Sequence, residues 1–155
     1  MNDHRKFLKT FSTNNIGNFF PNELILDIEG NTIDTSEISY SPCGHFVFLA
    51  GTNCDACNFS VIEEFINKYK KFNYLMLLQG SIESILEQGV KINIDIYSCS
   101  MKLISNQLNS NGLIPSVLVI NPKGQIIASG IFNSLDILEA IAWPLLYVHN
   151  AEKKD

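Results

Sequence analysis

With 155 residues the chain is long enough for one domain that buries a sizeable core without covalent staples. Hydrophobic residues make up 46% and charged residues 17%, which excludes a disordered tail. The net charge of −5, with Lys and Arg scattered, excludes the basic footprint of a nucleic-acid binder. No stretch is long and apolar enough to span a bilayer, and the opening "MNDHRKFLKTFSTNNIGNFF" lacks the continuous apolar core of a signal peptide. The expectation is a single domain over 1–155, cytoplasmic, with no stable membrane insertion; 1–15 form an N-terminal extension and 144–155 a C-terminal tail.

In chain order, "NELILDIEGNTID" reads as a β-hairpin with strands near 24–28 and 32–34 around Gly30 and Asn31. "ISYSPCG" is a loop, and the unbroken apolar run from His45 to Ala50 is a buried strand. From Asp55 onward Phe59, Ile62, Phe65, Ile66 and Tyr69 recur at helical spacing. "FNYLMLLQG" is a second buried strand closed by Gly80, and "SIESILEQG" is a short helix capped by Ser81 and stopped at Gly89. "KINIDIY" gives a short strand and Met101–Leu108 a helix. "PSVLVINPKGQIIASG" is an antiparallel hairpin, and a last helix starts near Ser134, to be kinked or ended at Pro144. Strands joined through helices imply parallel pairing, so the fold class is α/β: a central mixed sheet with helices on both faces, an antiparallel edge and an N-terminal β-hairpin extension.

The chemistry concentrates in "HFVFLAGTNCDACNFS", where Cys54 and Cys57 stand three apart at a strand-to-helix junction. A thiol at a helix N-terminus is favoured as thiolate by the unpaired N–H groups and the dipole, and a second thiol one turn on can resolve a mixed disulfide. Zinc normally takes four ligands, and Cys43, Cys99, His4, His45 and His149 are too scattered to complete a set, so no metal is expected. Two unreactive thiols filling a fold boundary is the plain alternative. Downstream, Ile114-Pro115 precedes a strand, where proline is often held cis beside a free backbone edge.

A C-x-x-C at a strand-to-helix junction followed by Ile-Pro before a hairpin with a Gly turn resembles the thioredoxin fold. "IGNFFPNELILDIEGNTIDTSEI" resembles the N-terminal extension of TlpA/ResA-type proteins. "FVFLAGTNCDAC", "LMLLQGS" and "NPKGQIIASGIF" look most like MauD-type accessory proteins, over roughly residues 16–142. The resemblance implies a thiol–disulfide oxidoreductase with Cys54 as nucleophile, Cys57 as resolving thiol and Pro115 as a cis-proline facing them. Ile114 offers its backbone to an extended peptide, and Thr52 and Asn53 flank the substrate. No cofactor is implied. The implied partners are a cysteine-containing peptide or protein and a redox-recycling partner, in a role such as maturing a specific protein or secreted bacterial peptide. Two rivals are a non-catalytic thioredoxin-like binding module and a thiol peroxidase, the latter because Thr52 ahead of Cys54 resembles the threonine of the peroxiredoxin motif.

The chain departs from the family pattern in places. "TNC" replaces the usual tryptophan before the first cysteine. The positions where relatives carry a proton-relaying acid fall on Phe48 and Ser60, so Cys57 has no evident side-chain base. Asp55 opposes ionisation of Cys54 while the helix terminus favours it. The only arginine, Arg5, is remote from the peroxide chemistry of the second rival. Cys99 reads as a small buried or loop residue. An exposed Cys43 near Cys54 could trap mixed disulfides, and Trp143, Tyr147 and Val148 read as core or a dimer patch.

Overall fold

The computed structural model describes residues 15–153, with side chains to 148; the greater part of the expected extension, including His4 and Arg5, lies outside the described residues. Strands β1 (Glu23–Ile25) and β2 (Thr32–Asp34) form a separate two-stranded antiparallel sheet. Its turn is closed by the Asp27 carboxylate, which accepts from the backbone N–H groups of Glu29 and Asn31 and from the Asn31 amide. The first three residues of the stretch read as a loop, 38–40, belong to a 3-10 helix, Ser36–Tyr40.

Five strands make the main sheet: β3 (His45–Gly51), β4 (Asn73–Gln79), β5 (Asp95–Ser98), β6 (Ser116–Ile120) and β7 (Ile126–Ile131), in the order β5-β4-β3-β6-β7. The first three run parallel, joined through helices α1 (Phe59–Lys68) and α2 (Ile82–Glu87). β6, although it too follows a helix, α3 (Met101–Leu108), lies on the far side of β3 and runs antiparallel to it. Helix-joined strands are therefore not all parallel here. The chain leaves β5 at the sheet's C-terminal edge and re-enters from that same edge, so β6 must run the other way.

All seven residues of β3 are buried. Phe46, Phe48 and Ala50 point to one face, beneath α1 and the final helix α4 (Leu135–Lys153). Val47 and Leu49 point to the other, under α3 and the N-terminal segment, whose Phe20, Leu24, Leu26 and Ile38 fill that layer. This two-sided burial is what an unbroken apolar strand requires. On the first face the Phe48 ring centroid lies 6.2 Å from Phe65, 5.9 Å from Phe132 and 6.2 Å from Tyr74, all within aromatic contact range.

α4 does not break at Pro144. Leu145 and Leu146, just beyond the proline, are buried against the sheet, while Pro144 and Ala140 face outward. The Ala140 carbonyl that loses a partner at a helical proline is thus on the side open to water. Trp143, Tyr147 and Val148 lie on the same outer side and are exposed, which removes them from the core. Among the described residues no helix is long and apolar enough to cross a membrane.

Candidate active site

β3 ends at Gly51, and Thr52 turns the chain by donating its N–H to Gln79 O of β4 at 3.0 Å. The Thr52 side chain fills the space where Gly80 would carry a Cβ, and Gly80 itself sits at φ +138°, a conformation suited to glycine. Asn53 beyond it is exposed. Cys54 and Cys57 are joined by a disulfide with Cα atoms 5.3 Å apart, and the Cys57 N–H donates to Cys54 O at 3.1 Å. The pair is unequal in exposure. Cys54 is half-buried at the surface, whereas Cys57 is buried in the core layer under α1.

The dithiol sits in a tight turn ahead of the helix, not within it. α1 begins at Phe59, because the Asn58 side chain accepts from Ser60 N at 3.1 Å and caps the helix there. Cys57 is therefore not one turn inside, and Cys54 lies four residues before the N-cap. The dipole acts within a helix's first turn, so its hold on Cys54 is weaker than the spacing suggested.

The antiparallel β6 brings the second half of the site. Leu49 pairs with Ser116, so Pro115 and Ile114 lie opposite Ala50 and Gly51, at the edge where the cysteines emerge. The Ile114–Pro115 peptide bond is cis. Ile114 O lies 3.9 Å from Cys54 Sγ. Pro115 O is already occupied by the Phe132 N–H at 3.2 Å. A Cβ on Gly51 would come within 2.9 Å of Ile114 Cδ1, so a side chain absent at Gly51 makes room for the Ile114 side chain beside the disulfide. Nothing local in the sequence singles out Gly51; its role emerges once residues 63 positions apart are paired.

Cys54, Cys57, Thr52, Asn53, Ile114 and Pro115 thus occupy one edge of the sheet, that of the C-terminal ends of the parallel strands. Phe48, at the position where the thioredoxin resemblance led to the expectation of an acid, is fully buried among aromatic rings, and Ser60 is exposed. The buried polar side chains among the described residues include no carboxylate.

The other thiols stand apart. Cys43 precedes β3 whereas Cys54 follows it, so a strand of about 20 Å separates them and Cys43 does not neighbour the disulfide. Cys99 follows β5 on the opposite face of the sheet, half-buried, and burial pushes its thiol up to about 11. Among the described residues no cluster of His, Cys, Asp and Glu is arranged to hold a metal. Thr52 and Cys54 are separated by one residue, not the two of the peroxiredoxin motif.

No protein-family model and no curated protein matches the sequence. Solved structures do. A protein from Chlorobium tepidum assigned as the thiol:disulfide interchange protein DsbE superposes with a TM-score of 0.64 at 15% identity, covering 84% of this chain and 97% of the other. A secreted disulfide oxidoreductase from Mycobacterium tuberculosis gives 0.57 at 10% identity, covering 79% and 94%. A thiol peroxidase from Chromobacterium violaceum gives 0.55 at 13% identity, covering 83% and 86%. The sheet order, the strand-to-helix dithiol turn and these likenesses agree: the chain has the thioredoxin-like fold.

Proposed function

We propose that this chain is a thiol–disulfide oxidoreductase acting on the cysteines of a peptide or protein. The observation that carries the reading is the unequal burial of a bonded Cys54–Cys57 pair beside the carbonyl of Ile114. In the reduced protein the Cys54 thiolate attacks one sulfur of a substrate disulfide and expels the other as thiolate. The Cys57 thiolate then attacks Cys54 Sγ within the mixed disulfide. The Cys54–Cys57 bond forms, the second substrate thiolate leaves, and two electrons have passed to the substrate. Run in reverse, the same steps oxidise a dithiol. A recycling partner restores the starting state through the same exposed sulfur.

Ile114 supplies an extended backbone against which a substrate strand pairs, with Thr52 and Asn53 forming the wall on the other side of Cys54. Cys57, surrounded by apolar side chains, is reached only by a sulfur already bonded to Cys54, which favours intramolecular resolution. With no acid at Phe48 or Ser60 to carry the proton, water serves Cys57. That arrangement suits a dedicated partner, such as one protein or secreted peptide being matured, better than general reduction. The cytoplasmic placement expected from the sequence belongs to the same proposal.

The test is glutathione-buffer titration with alkylation readout on wild type, C54S and C57S. The wild-type pair is expected to titrate as one two-electron couple, near about −270 mV for a reductant or about −120 mV for an oxidant. C54S is expected to lose exchange with a model disulfide peptide, and C57S to accumulate a mixed disulfide through Cys54. Full exchange by C54S, or a pair that forms no disulfide at any poise, overturns the proposal and leaves a binding module.

A further inference from the structure

The other end of the sheet holds a concavity unlike the first. His45, Asn73 and Asp95 open β3, β4 and β5 side by side. With Glu37 of the 3-10 helix they line a cleft of about 260 Å³. A narrower recess continues from it under the hairpin, where Asp34 joins Glu37, His45 and Asp95. Two separate stretches of chain, residues 34–37 and the start of β5, therefore supply three carboxylates to one hollow, and neither lining includes a lysine or arginine. The ion pair found among the described residues, Lys68 with Glu139, lies elsewhere, on α1 and α4.

The His45 side chain lies on the same face of β3 as Val47 and Leu49, lines both parts of the hollow and is 95% buried, its Nδ1 without a hydrogen-bond partner. Burial pushes its pKa down to about 4, so the ring is neutral at pH 7 and offsets none of the surrounding negative charge. A buried ring nitrogen left unpaired is costly and is the kind of group an occupant satisfies. Asp34 is held below the usual carboxylate range by hydrogen bonds from the Ser36 side chain and backbone, so it remains ionised.

The charge calls for a cation, and the absence of a metal-holding group among the described residues favours an organic one. No three or more of their His, Cys, Asp and Glu side chains are placed to hold one metal ion, and those of the hollow are no exception. A guanidinium spreads its charge over a plane with five N–H donors and can meet separated carboxylates at once, which a compact ammonium cannot do as well. The volume lies below the roughly 300–1,000 Å³ of sites for drug-sized ligands and suits one side chain or a small molecule. From the unbalanced carboxylates and the unpaired buried imidazole, we propose that this cleft is a binding site for a guanidinium group, carried by an arginine of a partner peptide or by a small guanidine. It lies about 20 Å from the disulfide along β3, so both ends can be occupied together.

Calorimetric and NMR titration of the intact chain with N-acetyl-arginine methylamide, ethylguanidinium, butylammonium and manganese chloride tests this. Both guanidinium probes are expected to bind and to shift the amides of Glu37, His45 and Asp95, with butylammonium weaker. E37Q and D95N change exposed side chains without changing their size, and each is expected to weaken binding about tenfold. Tighter binding of the blocked arginine than of ethylguanidinium assigns the site to a peptide; equal binding assigns it to a small guanidine. Absence of shifts at these amides with millimolar probe, unchanged affinity in folded E37Q and D95N, or preference for manganese overturns the proposal.

Discussion

The two ends of the seven-residue strand β3 differ in almost every physical respect. At the Gly51 end the groups that matter are two sulfurs, a backbone carbonyl and apolar side chains, with no buried carboxylate among the described residues. At the His45 end there are three carboxylates around a buried neutral ring. On the proposed reading the sulfur end exchanges bonds and tolerates low polarity, whereas the acidic end holds a ligand. One rigid strand, buried on both faces, keeps the two apart, so each can be altered without the other.

Three substitutions break or sharpen that contrast. The largest effect is expected from the strand both ends share. Phe48→Ala should empty an aromatic site and cost about 3–5 kcal/mol in urea unfolding. The loss should lower the melting temperature while, below it, the Cys54–Cys57 potential stays near the wild-type value. A large shift in potential without loss of stability would mean that the phenyl ring tunes the dithiol directly.

Next comes the acidic end. The folded pKa of His45 lies at about 4, below the ordinary 6.5. Above pH 6.5 both folded and unfolded chains carry a neutral ring. As the pH falls from 6.5 to 4 the unfolded chain binds a proton that the folded one refuses, so stability falls, by up to about 3 kcal/mol. Below pH 4 both are protonated and the loss stops growing. His45→Gln should flatten this part of the stability profile, measured by denaturant midpoints from pH 7 to 4; an unchanged slope would assign the acid sensitivity to carboxylates.

The smallest effect belongs to the sulfur end. Gly51→Ala places a Cβ 2.9 Å from Ile114 Cδ1, the tip of a flexible side chain that can give way. Stability should fall by under about 1 kcal/mol, whereas exchange with a peptide disulfide should slow about threefold as Ile114 shifts beside Cys54. Equal rates in the two proteins would detach Ile114 from the exchange reaction.

The sequence carried the parts of this arrangement that depend on neighbours. The apolar run of β3 could only be a strand buried on both faces, and the helical spacing of Phe59, Ile62 and Phe65 does form the buried stripe of α1. The strand-to-helix junction that carries both cysteines was equally plain, although the turn that holds them was read as helix. What escaped depends on remote pairing. The antiparallel insertion of β6 is decided by which side of β3 the chain returns to, and no local pattern encodes that; Ile114 and Pro115 were set against the cysteines by the family resemblance alone. The hollow around His45 joins positions 34, 37, 45 and 95, so its histidine looked merely scattered. The helix start was misplaced because Asn58, a polar residue among several, turned out to be the cap. Continuation through Pro144 rests on the burial of Leu145 and Leu146, which hold the helix down beyond the missing N–H.

The placement of β6 also sets an order of events at the ribosome. Cys54 and the Ile114 carbonyl that lies beside it are 60 residues apart in the chain. At about 10 residues per second, the thiols leave the exit tunnel on the order of 6 s before their neighbour does. Over that interval β3 lacks one of its two flanking strands, and the sulfurs of Cys54 and Cys57 are open to any disulfide nearby. On the proposed function, completion of the sheet, rather than appearance of the dithiol, is the moment at which a newly made chain gains the backbone edge that a substrate pairs with.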